Sequence, residues 1–427
     1  MATKNMAPII AEEAQETAVP SASGQTGIKR GLPRRFGFRL LFTYVFFYLW
    51  SLFAPGLWEP LVTWTGTHFF HTEVVQEYTG SGDTAYNWVM EADSIVLALA
   101  AALLWALFDR KRLADARFSE WMLVAVRFSL AMQMLSYGII KIIPTQFSAP
   151  SLTSLTKPLG EHSPMGLLWE FMGTSTAYTI FAGSVEAIGG LLLLSRRTTL
   201  LGALASIVAM SNVVALNFCY DVPVKLFSSH LLLLALLLAA PDAGRLATIF
   251  LLNRLAPPMT LRPHSVRRWV NWTLLSVKFL LFGALIYFST MNALDVRKTF
   301  ALSGPQLPLS GIWNADEPAQ PGLPEADRWR QAVFEFPHVI GLQMADGQFR
   351  AYRLSVDETR HTLTLTRIQH GVRVFRLSYT QVSHDRITLH GVFEGYPLTA
   401  ALTQQPKTKS LLLSRGFHWI SPVPFNR

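Results

Sequence analysis

Arg127, Glu186, His230 and Lys278 each interrupt a long apolar run, where ionisable groups are expensive to place. A charged side chain at the centre of a spanning helix costs about 2.5–3.5 kcal/mol on insertion scales, so each of the four needs a reason. At a rise of about 1.5 Å per residue from the cytoplasmic ends of their runs, Arg127, Glu186 and Lys278 lie about 12 Å deep and His230 about 15 Å. The count predicts one polar layer. Arg127 and Glu186 fall on consecutive antiparallel runs, which makes them the expected ion pair. Two readings of that pair stay open: one that only fixes helix register, and one that lines a cavity.

The run holding Arg127 has a further regularity. Arg127, Met134, Gly138 and Lys141 are spaced by 7, 4 and 3 residues and therefore share one helical face. Gly138 permits close approach of a neighbour, and Lys141, near the outer end, is expected to snorkel to the headgroups. Gly183, Gly189 and Gly190 make the next run a close-packing helix, and Asn212 and Asn217 add polar groups to the one after. His230 is the one histidine well inside a run, whereas a bis-histidine haem site needs two, so a b-type cytochrome is not expected.

Other candidate groups carry less chemistry. His68 and His71 form H-x-x-H with Glu73 nearby, a spacing that can ligate metal on a helix. At a membrane edge they read as solvated loop residues, and no metal site is assigned. The single cysteine, Cys219, excludes an intramolecular disulfide and a CxxC redox pair. No nucleotide loop, Ser/His/Asp order or phosphate-cradling glycine loop occurs. Arg415, His418, Trp419 and Arg427, with Pro422 and Pro424, are expected to form a C-terminal plug packed on the domain before them.

The elements that position these groups follow from charge placement. Apolar runs begin near Phe36, Ala92, Ser119, Thr174, Thr198, Val224 and Val270, and basic clusters fill alternate gaps. Lys29, Arg30, Arg34 and Arg35 precede the first run; Arg110, Lys111, Arg112 and Arg117 follow the second. Arg196 and Arg197 occupy the next such gap, and Arg245, Arg254, Arg262, Arg267 and Arg268 the last. The gap from Trp58 to Asp93 instead carries Glu59, Glu73, Glu77, Asp83, Glu91 and Asp93. Because short basic loops stay cytoplasmic, one topology satisfies every gap: N-terminus inside, about seven spans, C-terminus outside. Hydrophobic residues at 50%, charged residues at 15% and a mean hydropathy of +0.28 agree with a membrane protein. The net charge of +9 does not imply nucleic acid, because topology already accounts for the basic gaps.

Residues 1–35 read as a disordered cytoplasmic tail, and 36–118 as two spans around an acidic external loop. Residues 119–240 hold four further spans. Residues 241–290 contain an amphipathic inner-surface stretch, RLATIFLLNRL, and the last span. After about Leu309 the period changes to two. AVFEF, VIGLQMA, QFRAYRLSV, HTLTLTRI, VRVFRLSY, RITLHGVF and PLTAAL alternate apolar and polar residues between turn signals, so 291–427 reads as an external antiparallel sheet or small β-barrel.

The stretch from Val126 to Ala240 resembles the DoxX-like membrane proteins, a four-helix module of bacterial and archaeal membranes. The resemblance rests on Arg127, Gly138-Ile139-Ile140-Lys141, Glu186 followed by Gly189-Gly190 and leucines, and the basic turn Arg196-Arg197-Thr198. Some DoxX-like proteins are subunits of thiosulfate:quinone oxidoreductases, and others are linked to redox stress or cofactor maturation. The resemblance thus implies a quinone as a conceivable cofactor and a redox protein as a conceivable partner, with Glu186 or His230 as the proton-exchanging group. It supplies no transferable catalytic set. Three functions remain in play: an envelope protein whose spans anchor an external ligand- or partner-binding domain, a quinone-linked redox subunit, and a small-solute transporter. Transport is disfavoured by the lack of an evident inverted repeat.

Overall fold

The computed structural model describes residues 32–419 apart from 77–78, 109–112, 257–266, 303–308, 317–319, 321, 337, 368–372, 407–409 and 417. The expected disordered tail lies almost wholly outside the described residues. The helices are α1 (Leu32–Phe53), α2 (Glu59–His68), α3 (Ala85–Phe108), α4 (Leu113–Ile142), α5 (Leu152–Thr156) and α6 (Pro164–Thr174). They continue with α7 (Thr176–Leu193), α8 (Thr199–Cys219), α9 (Lys225–Ala239), α10 (Ala243–Phe250) and α11 (Arg268–Leu302). Among the described residues, seven helical stretches are long and apolar enough to cross a membrane: α1, α3, α4, α7, α8, α9 continued through α10 (Lys225–Phe250), and α11. Their outward faces carry large apolar side chains, including Phe181, Leu201, Val208, Phe279 and Leu280, as lipid contact requires.

Some boundaries differ from those expected. α3 starts at Ala85 rather than Ala92, which brings Glu91 inside a long helix. The two long connections expected as external loops are partly helical, holding α2, α5 and α6. α11 runs 35 residues, past Thr290 to Leu302. The apolar pattern ends near Thr290, but no glycine or proline stops the helix before Gly304, so propensity carries it on.

Close packing sets the register of α4 against α7. A β-carbon on Gly138 would sit 2.8 Å from the Ala187 β-carbon, and one on Gly183 would sit 2.6 Å from that of Lys141. Only glycine lets the two backbones meet there. Gly190 does the same against Leu135 and Ala131, and Gly189 lies against Ser206 of α8. Val126, Leu130, Ala131 and Met134 of α4 join Val45, Leu193, Ala203, Leu231 and Leu234 in the buried helical core.

The C-terminal region is a closed eight-stranded antiparallel meander. Its strands are β1 (Gly311–Ala315), β2 (Trp329–Phe336), β3 (Val339–Met344), β4 (Phe349–Asp357), β5 (Thr362–Arg367), β6 (Arg373–Ser383), β7 (Arg386–Phe393) and β8 (Tyr396–Gln404). β1 pairs with both β2 and β8, which closes the ring and leaves no free edge. The inward set of the alternating pattern fills the interior: Trp313, Phe334, Tyr352 and Phe393 are fully buried, with Trp329, Phe375, Leu365 and Leu377 among them. Glu394-Gly395, with φ of 48° and 89°, makes the two-residue turn between β7 and β8.

The barrel is tied to the helices. The Glu335 carboxylate of β2 accepts the backbone N–H groups of Leu152 at 2.7 Å and Thr153 at 3.3 Å, at the start of α5. The β2–β3, β4–β5 and β6–β7 turns therefore face the helices, and the opposite rim points away. Of the C-terminal segment expected to plug this domain, the described residues form one short helix, α12 (Leu411–Ser414), and leave Trp419 91% exposed. Pro422, Pro424 and Arg427 lie outside the described residues.

Candidate functional site

The four sequence-predicted charges do not form one layer. Glu186 pairs with Lys141, whose ammonium donates to Oε1 at 2.5 Å and Oε2 at 2.6 Å. Both partners are buried, at 7% and 4% exposure, so Lys141 does not snorkel. The register explains the correction: Gly138 lies opposite Gly183 and Ala187, which puts Lys141 within reach of Glu186. Arg127 sits 11 residues before Gly138, roughly 16 Å further along α4. Depth counted from the edges of apolar runs missed this, because α4 extends beyond its run at the N-terminal end.

His230 lies among groups the sequence reading did not assemble. Its Nδ1–H donates to the Leu226 carbonyl at 2.7 Å, one turn back in α9. Its Nε2 is 2.5 Å from the Tyr44 hydroxyl of α1 and 3.4 Å from Glu91 Oε1 of α3. Tyr44 in turn donates to Glu91. Tyr48, one turn on from Tyr44, stacks its ring on the imidazole at 4.1 Å and 8° between planes. The start of α9 is fixed by Asp83, whose two oxygens accept the N–H groups of Lys225 at 2.8 Å and Leu226 at 3.0 Å.

The geometry permits two arrangements of the same protons, since the Tyr44 hydroxyl can donate to either neighbour. With Nδ1 committed to a carbonyl, either Tyr44 donates to a neutral Nε2 and a protonated Glu91 donates to Tyr44, or both protons move one step. The second arrangement leaves a Glu91 carboxylate and a His230 imidazolium, with Tyr44 donating to the carboxylate. The trio can therefore shift charge between α3 and α9 without gaining or losing a proton. Tyr48 and Tyr137 lie close enough to interact electrostatically, and the Tyr137 ring is 5.9 Å from the Lys141 ammonium. The two polar groupings thus adjoin within the helical core.

The signal for the missed residues was weak but present. Tyr44 and Tyr48 are four apart on one helical face, and Glu91 follows the interfacial Trp88 too closely to sit in a loop. His68, by contrast, bonds the Trp64 carbonyl within its own helix, and His71 lies beyond α2 with φ of 52°. No group of three metal-binding side chains forms among the described residues.

Arg127 and Lys278 come together elsewhere, in the N-terminal halves of α4 and α11. They line a cleft of about 330 Å³ with Arg196, Arg197, Asn271, Phe128, Leu194, Ser195, Leu274 and Leu275. Lys278 donates to the Leu194 carbonyl at 3.1 Å, and the Arg127 guanidinium stacks over the Phe128 ring at 4.6 Å.

Seven helices suited to a bilayer, a half-buried Glu–Tyr–His trio and a docked β-barrel define a polytopic helical protein with a C-terminal barrel domain. No family model and no solved structure matches it. Over 126 residues, 29% of this chain and 79% of the relative, it is 31% identical to the uncharacterized protein YwoB of Bacillus subtilis (strain 168). The chain belongs to the family of that protein.

Proposed function

We propose that this chain is a multi-pass protein of the bacterial cytoplasmic membrane, N-terminus inside, whose helices hold a partner-binding barrel at the external face. The observation that carries the reading is the barrel itself: its interior is filled by Trp313, Trp329, Phe334, Tyr352 and Phe393, and one end is docked through Glu335. A filled barrel has no calyx for a small ligand, so recognition falls to the outer wall and the free rim. There Val374 and Val392 are more than half exposed, beside Tyr396 and the Glu394 carboxylate held by Arg367 and Arg373. The basic inner gaps and acidic outer loop support the sidedness. Photo-crosslinking residues at Val374 and Val392 should trap one discrete protein in intact cells, while the same probe at Val339, on the docked end, should not. Equal yields at all three positions, or a cytoplasm-only reporter active after Arg427, would overturn the reading.

A second reading has its own observation, the Glu91–Tyr44–His230 trio. A charge-shifting trio in an apolar core suits proton exchange with a lipid-soluble quinone, as the DoxX-like resemblance implies. Quinone retained by purified protein, and lost in Glu91→Gln and Tyr44→Phe, would favour it; retention unchanged by both variants would remove it.

A further inference from the structure

The inner cleft has no place in either reading, and its chemistry is specific. Four cations line it, Arg127, Arg196, Arg197 and Lys278, with the Asn271 amide, and among the described residues no acidic side chain does. Glu120 of α4 acts on Arg196 from outside the lining. Arg127 is only 6% exposed, and its Nε is buried without a hydrogen-bond partner. A buried guanidinium nitrogen with no acceptor, beside a cavity lined by like charges, is costly unless an anion enters. Burial pushes Arg196 below the usual arginine range, with Glu120 opposing.

The remaining walls point to the source of the anion. Phe128, Leu194, Leu274 and Leu275 make the rest of the lining largely apolar. Leu274 is half exposed, and Trp269 and Trp272, exposed on the same end of α11, mark the headgroup level. At about 330 Å³ the cleft is at the small end of ligand pockets, which run from about 300 to 1,000 Å³. That suits a phosphate with its ester carbons and not a whole lipid. Basic pockets between spanning helices on the cytoplasmic side are a known form of anionic headgroup site.

We infer that the cleft between α4, the α7–α8 turn and α11 binds the phosphodiester of an anionic phospholipid, with Arg127, Arg196, Arg197 and Lys278 as its cationic ligands. Guanidinium groups offer paired donors to phosphate oxygens, Lys278 adds a point charge, and the ester chains leave past Leu274 into the bilayer.

The test uses the full-length chain in a neutral detergent, titrated separately with short-chain phosphatidylglycerol, short-chain phosphatidylcholine and inorganic phosphate, with thermal stabilisation as the readout. Phosphatidylglycerol should stabilise saturably and phosphatidylcholine should not. Arg197→Gln, at an exposed position, and Lys278→Gln should each weaken phosphatidylglycerol binding about tenfold, the scale of one charge-assisted hydrogen bond. Arg254→Gln, a cation on the same surface but outside the cleft, should leave it unchanged. The site is overturned if phosphatidylglycerol acts no better than phosphatidylcholine, or if Arg254→Gln weakens it as much as Arg197→Gln does. If inorganic phosphate stabilises as strongly as the lipid, phosphate recognition stands and the bilayer is refuted as its source.

Discussion

Replacing Lys141 by methionine should be among the most damaging single changes in the helical core. Its ammonium makes both bonds to Glu186, and the pair is almost wholly buried. Removing one partner strands the other charge, which typically costs about 3–5 kcal/mol. Glu186→Gln should cost less, since the amide keeps one acceptor for the lysine. Combining Lys141→Met with Glu186→Leu removes both charges, and apolar replacements of buried pairs are often close to neutral. The coupling in this cycle should therefore be at least about 2 kcal/mol, well above the roughly 0.3–0.5 kcal/mol scatter seen for independent sites. Arg127→Met with Glu186→Leu is the control: the two sites lie about 16 Å apart along the helices and should add. Thermal unfolding of purified protein in detergent, followed by tryptophan fluorescence, gives each value. Additivity between Lys141 and Glu186, or strong coupling between Arg127 and Glu186, would refute the α4–α7 register.

Tyr44→Phe removes the hydroxyl between Glu91 and His230 without altering the ring, and should destabilise the helical core by about 1–2 kcal/mol because the buried His230 and the half-buried Glu91 each lose a partner; unchanged thermal stability would mean that the trio does not form. Cys219, exposed at the C-terminal end of α8, should with the proposed sidedness react in intact cells with a membrane-impermeant maleimide, and labelling only after lysis would reverse that sidedness. A fragment from Leu309 to Arg427 should be soluble with a β-type circular dichroism spectrum, whereas a helical or disordered spectrum would deny the barrel its autonomy. In that fragment burial holds the Tyr352 and Tyr379 phenols above the usual tyrosine range. The unfolded phenols ionise first, near pH 10 or so, so stability present at neutral pH should fall as pH rises past that value. Tyr352→Phe should shrink the alkaline loss; an identical pH profile would count against its burial in the barrel.

The sequence by itself determined the number and placement of the long helices and the existence of the strand-rich domain. Apolar length and period-two alternation are local quantities, and a segment such as VRVFRLSY announces its own inward face. The glycines of α4 and α7 were also legible as close-packing sites, although what they would bring together was not. Pairing was decided only in three dimensions. The contact of Gly138 with Ala187 slides α7 along α4 until Glu186 meets Lys141 and leaves Arg127 with Arg196 and Lys278, and no depth count on separate helices contains that offset. The Glu91–Tyr44–His230 trio likewise draws on α1, α3 and α9, whose order in the chain says nothing of their order in space. Closure of the barrel is the same kind of fact: β1 and β8 are far apart in sequence, and only their pairing turns an alternating pattern into a ring without edges.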